Sequence, residues 1–338
     1  MLEGAATDRP HPQAAQEPEE KTPTMADREP LHPQIADALQ HAEPAGKTPP
    51  EVNEARAARQ ERVPAVDKRE PQLGLVEDVT AVTDMGEVPV RIYADDASAG
   101  RYGVLVYVHG GGFFSGSVDT HDHVARALAK ETGKKVVSVD YSLAPEARFP
   151  TAIEEIFGVV KWIVQHDVEL KWDEEVLALV GDAAGANLVA AVTFVAKDSH
   201  FRRITHQVLY YPAVDLDFDE QRYDSLQENA QGYGLETTEL AAATSFYVAN
   251  GADPADPLVS PIKRKDLRGL PTALVITAGY DPLRDEGIAY AQRLSEAGVD
   301  VTHVRFENAN HGFAANFSWI DEFYDVFRTT AKFLRRKN

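Results

Sequence analysis

Six short apolar runs, separated by stretches of helix length, constrain the fold of this chain more than any other feature. The runs are Gly103–Val108, Val136–Asp140, Val176–Val180, Val208–Tyr211, Ala273–Ala278 and Val301–Phe306. Helical patterning fills approximately 119–132, 149–166, 185–198 and 285–297, and a last helical stretch over 320–336 closes the chain. Each run is apolar along its length rather than at alternate positions, the mark of strands buried on both faces. Such strands alternating with helices build a parallel sheet covered on both sides. Ahead of them, Leu75–Val82 and Val88–Tyr93 alternate around Met85-Gly86-Glu87 and predict an antiparallel pair at the sheet edge. The expected fold class is α/β, with a mainly parallel eight-stranded sheet and helices on both faces.

The third run ends in Gly181-Asp182-Ala183-Ala184-Gly185, and Asn187-Leu188-Val189-Ala190-Ala191 continues as a helix. A strand that turns sharply into a helix brings two backbones together, so small residues are needed on both sides of the apex. Gly181 and Gly185 occupy those places, and Ala183 is the apex. In a catalytic turn of this kind the apex is a serine with its hydroxyl raised above the sheet; here that hydroxyl is missing. The first run leads into His109-Gly110-Gly111-Gly112-Phe113, where consecutive glycines let backbone N–H groups face a site without intervening side chains. The fifth run leads into Gly279-Tyr280-Asp281-Pro282-Leu283-Arg284-Asp285-Glu286-Gly287, and the sixth into Asn308-Ala309-Asn310-His311-Gly312-Phe313.

Together with Tyr141–Pro150, these motifs resemble the bacterial hormone-sensitive-lipase family of carboxylesterases, over roughly residues 30 to 338. The chain order of apex, acid and histidine is that of the α/β-hydrolase fold. Three departures stand out: Ala183 for the serine, Ala186 for a second glycine, and Ser142 for the usual arginine. The resemblance implies a small helical lid, hydrolysis of short- to medium-chain carboxylic esters through an acyl-enzyme, and a small-molecule ester as partner. It implies neither metal nor cofactor, and it leaves a homodimer open.

Acyl transfer needs a nucleophile, a base, an acid to hold the base, and donors for the oxyanion. His311 is the base candidate because it follows the last strand; His121, His123 and His303 lie within a helix head or a strand and read as structural. Asp281 is the acid candidate, at a strand end and before a turn-fixing proline. Its rivals Asp285 and Glu286 read as N-cap or first-turn charges of the next helix. The thirty positions between 281 and 311 hold one helix and one strand, which returns both loops to the same edge of the sheet. Gly111, Gly112 and the N–H of Ala184 are the expected oxyanion donors. No Gly-Lys-Ser/Thr follows the glycines, so they are not read as a phosphate loop. His109, Tyr141, Glu146 and Asp182 read as braces. An apex held at positive φ costs a non-glycine residue about 1–3 kcal/mol. Serine bears that strain for catalysis and alanine gains nothing from it, while the acid, base and glycines remain. The expectation is therefore a deliberate serine-to-alanine replacement at 183. The alternative is a natural ligand-binding protein on the same scaffold, as the plant gibberellin receptor is within the wider family.

A formal net charge of −20 disfavours nucleic acid and anionic membrane surfaces as partners and also suits a high-salt setting. With no cysteine, the chain has no disulfide and no thiolate chemistry. Residues 1–30 read as a disordered leader without a signal-peptide core, and no run reaches membrane-spanning length, so a cytoplasmic location is the simplest expectation. Residues 31–70 carry two short amphipathic helices, at Leu31, Ile35, Leu39 and at Val52, Ala55, Ala58, around Glu43-Pro44-Ala45-Gly46 and Pro49-Pro50; they are expected to form one part of the lid. Residues 71–214 and 263–338 are the two parts of the core. Residues 215–262, Asp- and Pro-rich around a helical stretch near Leu240–Tyr247, break the strand rhythm and are expected to be the second part of the lid.

Overall fold

A computed structural model describes residues 28–41, 51–62 and 70–336. The leader up to residue 27 and the turns expected at 43–46 and 49–50 lie outside the described residues. Two N-terminal helices, α1 (Pro33–His41) and α2 (Val52–Arg62), precede a hairpin of β1 (Leu75–Thr83) and β2 (Gly86–Ala94). The core continues with β3 (Tyr102–Val108), α3 (Asp122–Thr132), β4 (Lys135–Val139), α4 (Thr151–Gln165), α5 (Asp167–Leu170), β5 (Trp172–Asp182), α6 (Ala184–Asp198) and β6 (His206–Tyr210). After α7 (Ser225–Glu228) and α8 (Thr237–Tyr247), it closes with β7 (Thr272–Tyr280), α9 (Arg284–Glu296), β8 (Val301–Asn310), α10 (Phe313–Asn316) and α11 (Asp321–Leu334).

One eight-stranded sheet results, in the order β1-β2-β4-β3-β5-β6-β7-β8. β2 pairs antiparallel with β1 and with β4, and every later pairing is parallel. β3 and β4 are buried at every residue, which is why these runs are apolar at successive positions. Two apolar clusters cover the sheet. One joins α4, α6 and α9 residues such as Ile156, Val192 and Leu294 to Val104, Leu179 and Val275. The other joins α3 and α11 residues such as Leu128, Phe323 and Phe327 to Leu105, Val180 and Ile276, and takes in Ile35 of α1.

The differences from the sequence reading are local. β5 begins at Trp172 rather than Val176, because Trp172 pairs with Tyr102 across an irregularity that the polar Asp173-Glu174-Glu175 does not disclose. Glu174 sits there at φ 63. The four-residue helices α5, α7 and α10 are too short to show a helical period. β7 and β8 run on to Tyr280 and Asn310, two residues that pair with each other after a shift of register. That pairing sets the ends of the two strands side by side.

Candidate active site

Every element that carries an expected site residue presents it at the carboxyl edge of the parallel strands. Gly181 pairs with Val108, and Asp182 with Tyr210, so the turn after β5 lies between the loop after β3 and the end of β6. The turn is as tight as the sequence requires. A Cβ on Gly181 would sit 2.5 Å from the carbonyl of Gly185, and one on Gly185 would sit 2.1 Å from the carbonyl oxygen of Val108. At the apex Ala183 is held at φ 51, ψ −115, the conformation expected for this position and a strained one for any side chain. α6 starts at the next residue.

His311 and Asp281 meet because Tyr280 and Asn310 are paired. The His311 Nδ1 lies 2.8 Å from Asp281 Oδ2. The other carboxylate oxygen of Asp281 accepts the Leu283 N–H at 2.8 Å, and the residue is fully buried. Its backbone carbonyl accepts the Asn229 side-chain amide at 2.9 Å, so a residue from the 215–262 segment fixes the acid's loop. The Tyr211 ring meets the His311 ring edge-on at 5.0 Å, and Gly312 at φ 78 turns the chain into α10. The rivals Asp285 and Glu286 are employed elsewhere. Asp285 accepts the Ser225 N–H and pairs with Arg284. Glu286 lies in the first turn of α9 as expected, yet it is buried and accepts the N–H groups of Val214 and Asp215 at 2.7 and 3.2 Å. Burial pushes its carboxyl well above the usual range.

The loop after β3 is braced from below. Asp182 accepts the Tyr107 hydroxyl at 2.7 Å and the Gly110 N–H at 2.9 Å. Desolvation raises its pKa above the ordinary carboxylate value. The His109 ring stacks on Tyr141 at 4.4 Å, and the Tyr141 hydroxyl donates to the His109 carbonyl at 2.9 Å. Burial, helped by the neighbouring His121, lowers the His109 pKa to about 4, so its ring is neutral near pH 7, and its Nδ1 faces the Gly110 carbonyl at 2.8 Å, where it donates. Gly111 and Gly112 adopt φ 130 and 61, and Phe113 follows at φ 69. Ser115 donates its N–H and its hydroxyl to the Gly111 carbonyl, at 3.1 and 2.7 Å, and so closes the turn.

A cleft open to solvent, about 580 Å³ with its solvent-filled mouth included, lies over this edge of the sheet. Ala183, Ala184, Gly112 and His311 line it together with Phe218, Leu235, Leu240 and Leu283. Gly111 lies one residue outside that lining. The wall also contains Asp215, Glu239 and Glu286, three carboxyl groups that the sequence reading did not assign to the site. Asp215 pairs with Arg222 at 2.6 Å and accepts the Tyr223 hydroxyl at 2.9 Å, and Glu239 caps α8 through the Glu236 N–H at 3.1 Å. Asp215 and Glu239 reach the cavity because 215–262 folds back over the strand ends, whereas Glu286 enters it from the first turn of α9. Among the described residues, no group of three or more His, Asp or Glu converges as a metal site. No helix among them is long and apolar enough to cross a membrane.

Comparison with known proteins agrees with this architecture. The profile of a family described as alpha/beta hydrolase fold matches residues 105–315. An arylesterase of Saccharolobus solfataricus is 35% identical over 84% of this chain and 92% of its own length. An ethyl acetate hydrolase of Pseudomonas putida is 34% identical over 86% of this chain and 94% of its own. The hyperthermophilic esterase of the archaeon Pyrobaculum calidifontis superposes with a TM-score of 0.81 at 36% identity, covering 90% of this chain and 97% of that one. The chain belongs to the α/β-hydrolase-fold family, in its hormone-sensitive-lipase-like branch.

Proposed function

We propose that this chain is a carboxylesterase framework for short- to medium-chain esters in which Ala183 stands at the nucleophile position, leaving the acyl-transfer machinery otherwise complete. The observation that carries this reading is the 2.8 Å contact between His311 and Asp281, on the wall of the same cavity as a strained Ala183 at a helix N-terminus. With a serine at 183, its Oγ would attack the ester carbonyl as His311 takes the proton. Asp281 would hold the imidazole tautomer and stabilise the imidazolium. The N–H groups of Gly111, Gly112 and Ala184 would receive the oxyanion. His311 would return the proton to the departing alcohol, then draw one from the water that releases the acid. No step calls for a metal or a cofactor. The names of the relatives, arylesterase and ethyl acetate hydrolase, support an ester as substrate.

Residues 31–70 and 215–262 are assigned as the lid that sets which groups enter. Leu235, Leu240, Ala243 and Thr244 line the cavity, and Phe246 packs on Phe114 at 5.0 Å. Without the hydroxyl the chain as it stands retains at most the residual acceleration of an oxyanion hole, about 10³–10⁴-fold over water.

Ala183→Ser is the test. The variant should hydrolyse short-chain aryl esters with a burst of alcohol and should be inactivated by organophosphates. A folded variant that binds ester analogues saturably yet shows neither burst nor turnover on a broad ester panel would establish the ligand-binding alternative instead.

A further inference from the structure

The loop that carries Gly111 and Gly112 is held from above by a residue outside the strand-end motifs. We propose that Arg56 of α2 is a positioning residue for the oxyanion loop, an inference that rests on the esterase reading above. Its guanidinium reaches three acceptor residues on two loops far apart in the sequence. The Nε donates to the carbonyl of Phe114 at 2.6 Å, and one terminal nitrogen donates to the carbonyl of Ala144 at 3.0 Å. The two terminal nitrogens also meet the two oxygens of Glu146 at 2.9 and 2.8 Å, a fork-to-fork pair.

Phe114 lies two residues beyond Gly112, so holding its carbonyl fixes the 114–115 peptide plane, two peptides past the glycine run and inside the turn that Ser115 closes on Gly111. Ala144 is already bound to the same loop, since its N–H donates to the Phe113 carbonyl at 2.9 Å. Arg56 therefore clamps the loops 109–116 and 141–150 against each other at the point where both pass beneath α2. That clamp matters because Phe113 is a non-glycine residue at φ 69, a conformation that persists only where surrounding contacts over-determine it. The Phe113 ring is pinned as well, stacked on Tyr247 of α8 at 4.0 Å with the planes 8° apart. Both proposed lid segments thus grip the oxyanion loop, α2 through a guanidinium and α8 through a ring.

The chemistry favours a geometric role over a stabilising one. The Arg56 and Glu146 side chains are 27% and 60% exposed, and an ion pair so open to water adds little to stability. A rigid planar fork nevertheless fixes directions, and a lysine, with one charged nitrogen, cannot serve three acceptors in a plane. Oxyanion donors act through pre-set geometry, and a misplacement on the order of 1 Å can cost as much as 10²-fold in rate.

The experiment has two arms. In the Ala183→Ser background, Arg56→Gln should lower kcat for an aryl ester by about tenfold with KM changed less than about twofold, and Arg56→Lys should recover part of the loss. An unchanged kcat, or a loss confined to KM and melting temperature, would overturn the proposal. In the protein with alanine at 183, Arg56→Gln should speed amide exchange at Gly110, Ser115 and Ala144 by about tenfold, while α6 amides exchange as before. Unchanged exchange at those three amides would overturn the proposal whether or not the restored serine turns over esters. Faster exchange with an inactive Ala183→Ser protein would uphold the clamp and refute the esterase reading.

Discussion

Replacing Ala183 by glycine measures the strain stored at the apex. At φ 51, ψ −115 a side chain costs about 1–3 kcal/mol that glycine does not incur. Against that gain stand two losses. Ala183 is only 8% exposed, so its methyl contributes about 0.8 kcal/mol of burial. The more flexible unfolded glycine chain adds about 0.4–1 kcal/mol. The net change for Ala183→Gly therefore runs from about 0.8 kcal/mol destabilising to about 1.8 kcal/mol stabilising. Ala191, fully buried in the middle of α6, is the reference. Its glycine variant loses the same methyl and about 1 kcal/mol of helix propensity with no strain to recover, about 1.8 kcal/mol in all. Urea unfolding of the two variants beside the parent would read the difference directly. Ala183→Gly should be more stable than Ala191→Gly by about 1–3.6 kcal/mol. If the two variants lost equal stability, the apex would hold no strain, and the argument that alanine gains nothing by keeping this backbone would fall with it.

In the Ala183→Ser background, Asp281→Asn should lower kcat by about 10⁴-fold, because the amide favours the wrong imidazole tautomer, and His311→Ala should abolish turnover; steady-state assays at saturating ester would check both, and a small effect of either would place the acid or base elsewhere. The buried Glu286 makes stability depend on pH. Its folded pKa is raised, so the unfolded chain releases its proton first, and stability present below the unfolded value of about 4.5 is lost as pH rises toward the folded value. Glu286→Gln keeps an acceptor for the Val214 and Asp215 N–H groups without that titration. Its stability relative to the parent should therefore improve steadily as pH rises from about 5 to about 8, and a difference constant across those unfolding curves would contradict the assignment.

The sequence by itself determined the sheet and where along the chain the candidate site residues fall. Runs such as Val104–Val108 and Leu177–Val180, apolar at successive positions and alternating with helical stretches, read as strands covered on both faces, and the glycines at 181 and 185 suit a helix folded hard against a strand end, where a Cβ on either would clash. Once the strands are parallel, residues just past their carboxyl ends share an edge, so Ala183, Asp281 and His311 are brought to one place by order alone. What pairs with what across that edge was decided by the tertiary structure. The register of Tyr280 with Asn310 set Asp281 against His311, while Asp285 and Glu286, already set apart in the sequence as first-turn charges, took other partners. Glu286 looked like a first-turn helix charge because helix propensity and capping are local, whereas its burial depends on Val214 and Asp215, more than seventy residues upstream. Arg56 gave no signal at all: a guanidinium on a polar helix gains these partners only when the loops around 114 and 146 are folded beneath it. Periodicity and close approach are properties of neighbours along the chain and can be read there, but long-range hydrogen bonds and register are properties of neighbours in space, which exist only after the sheet has closed.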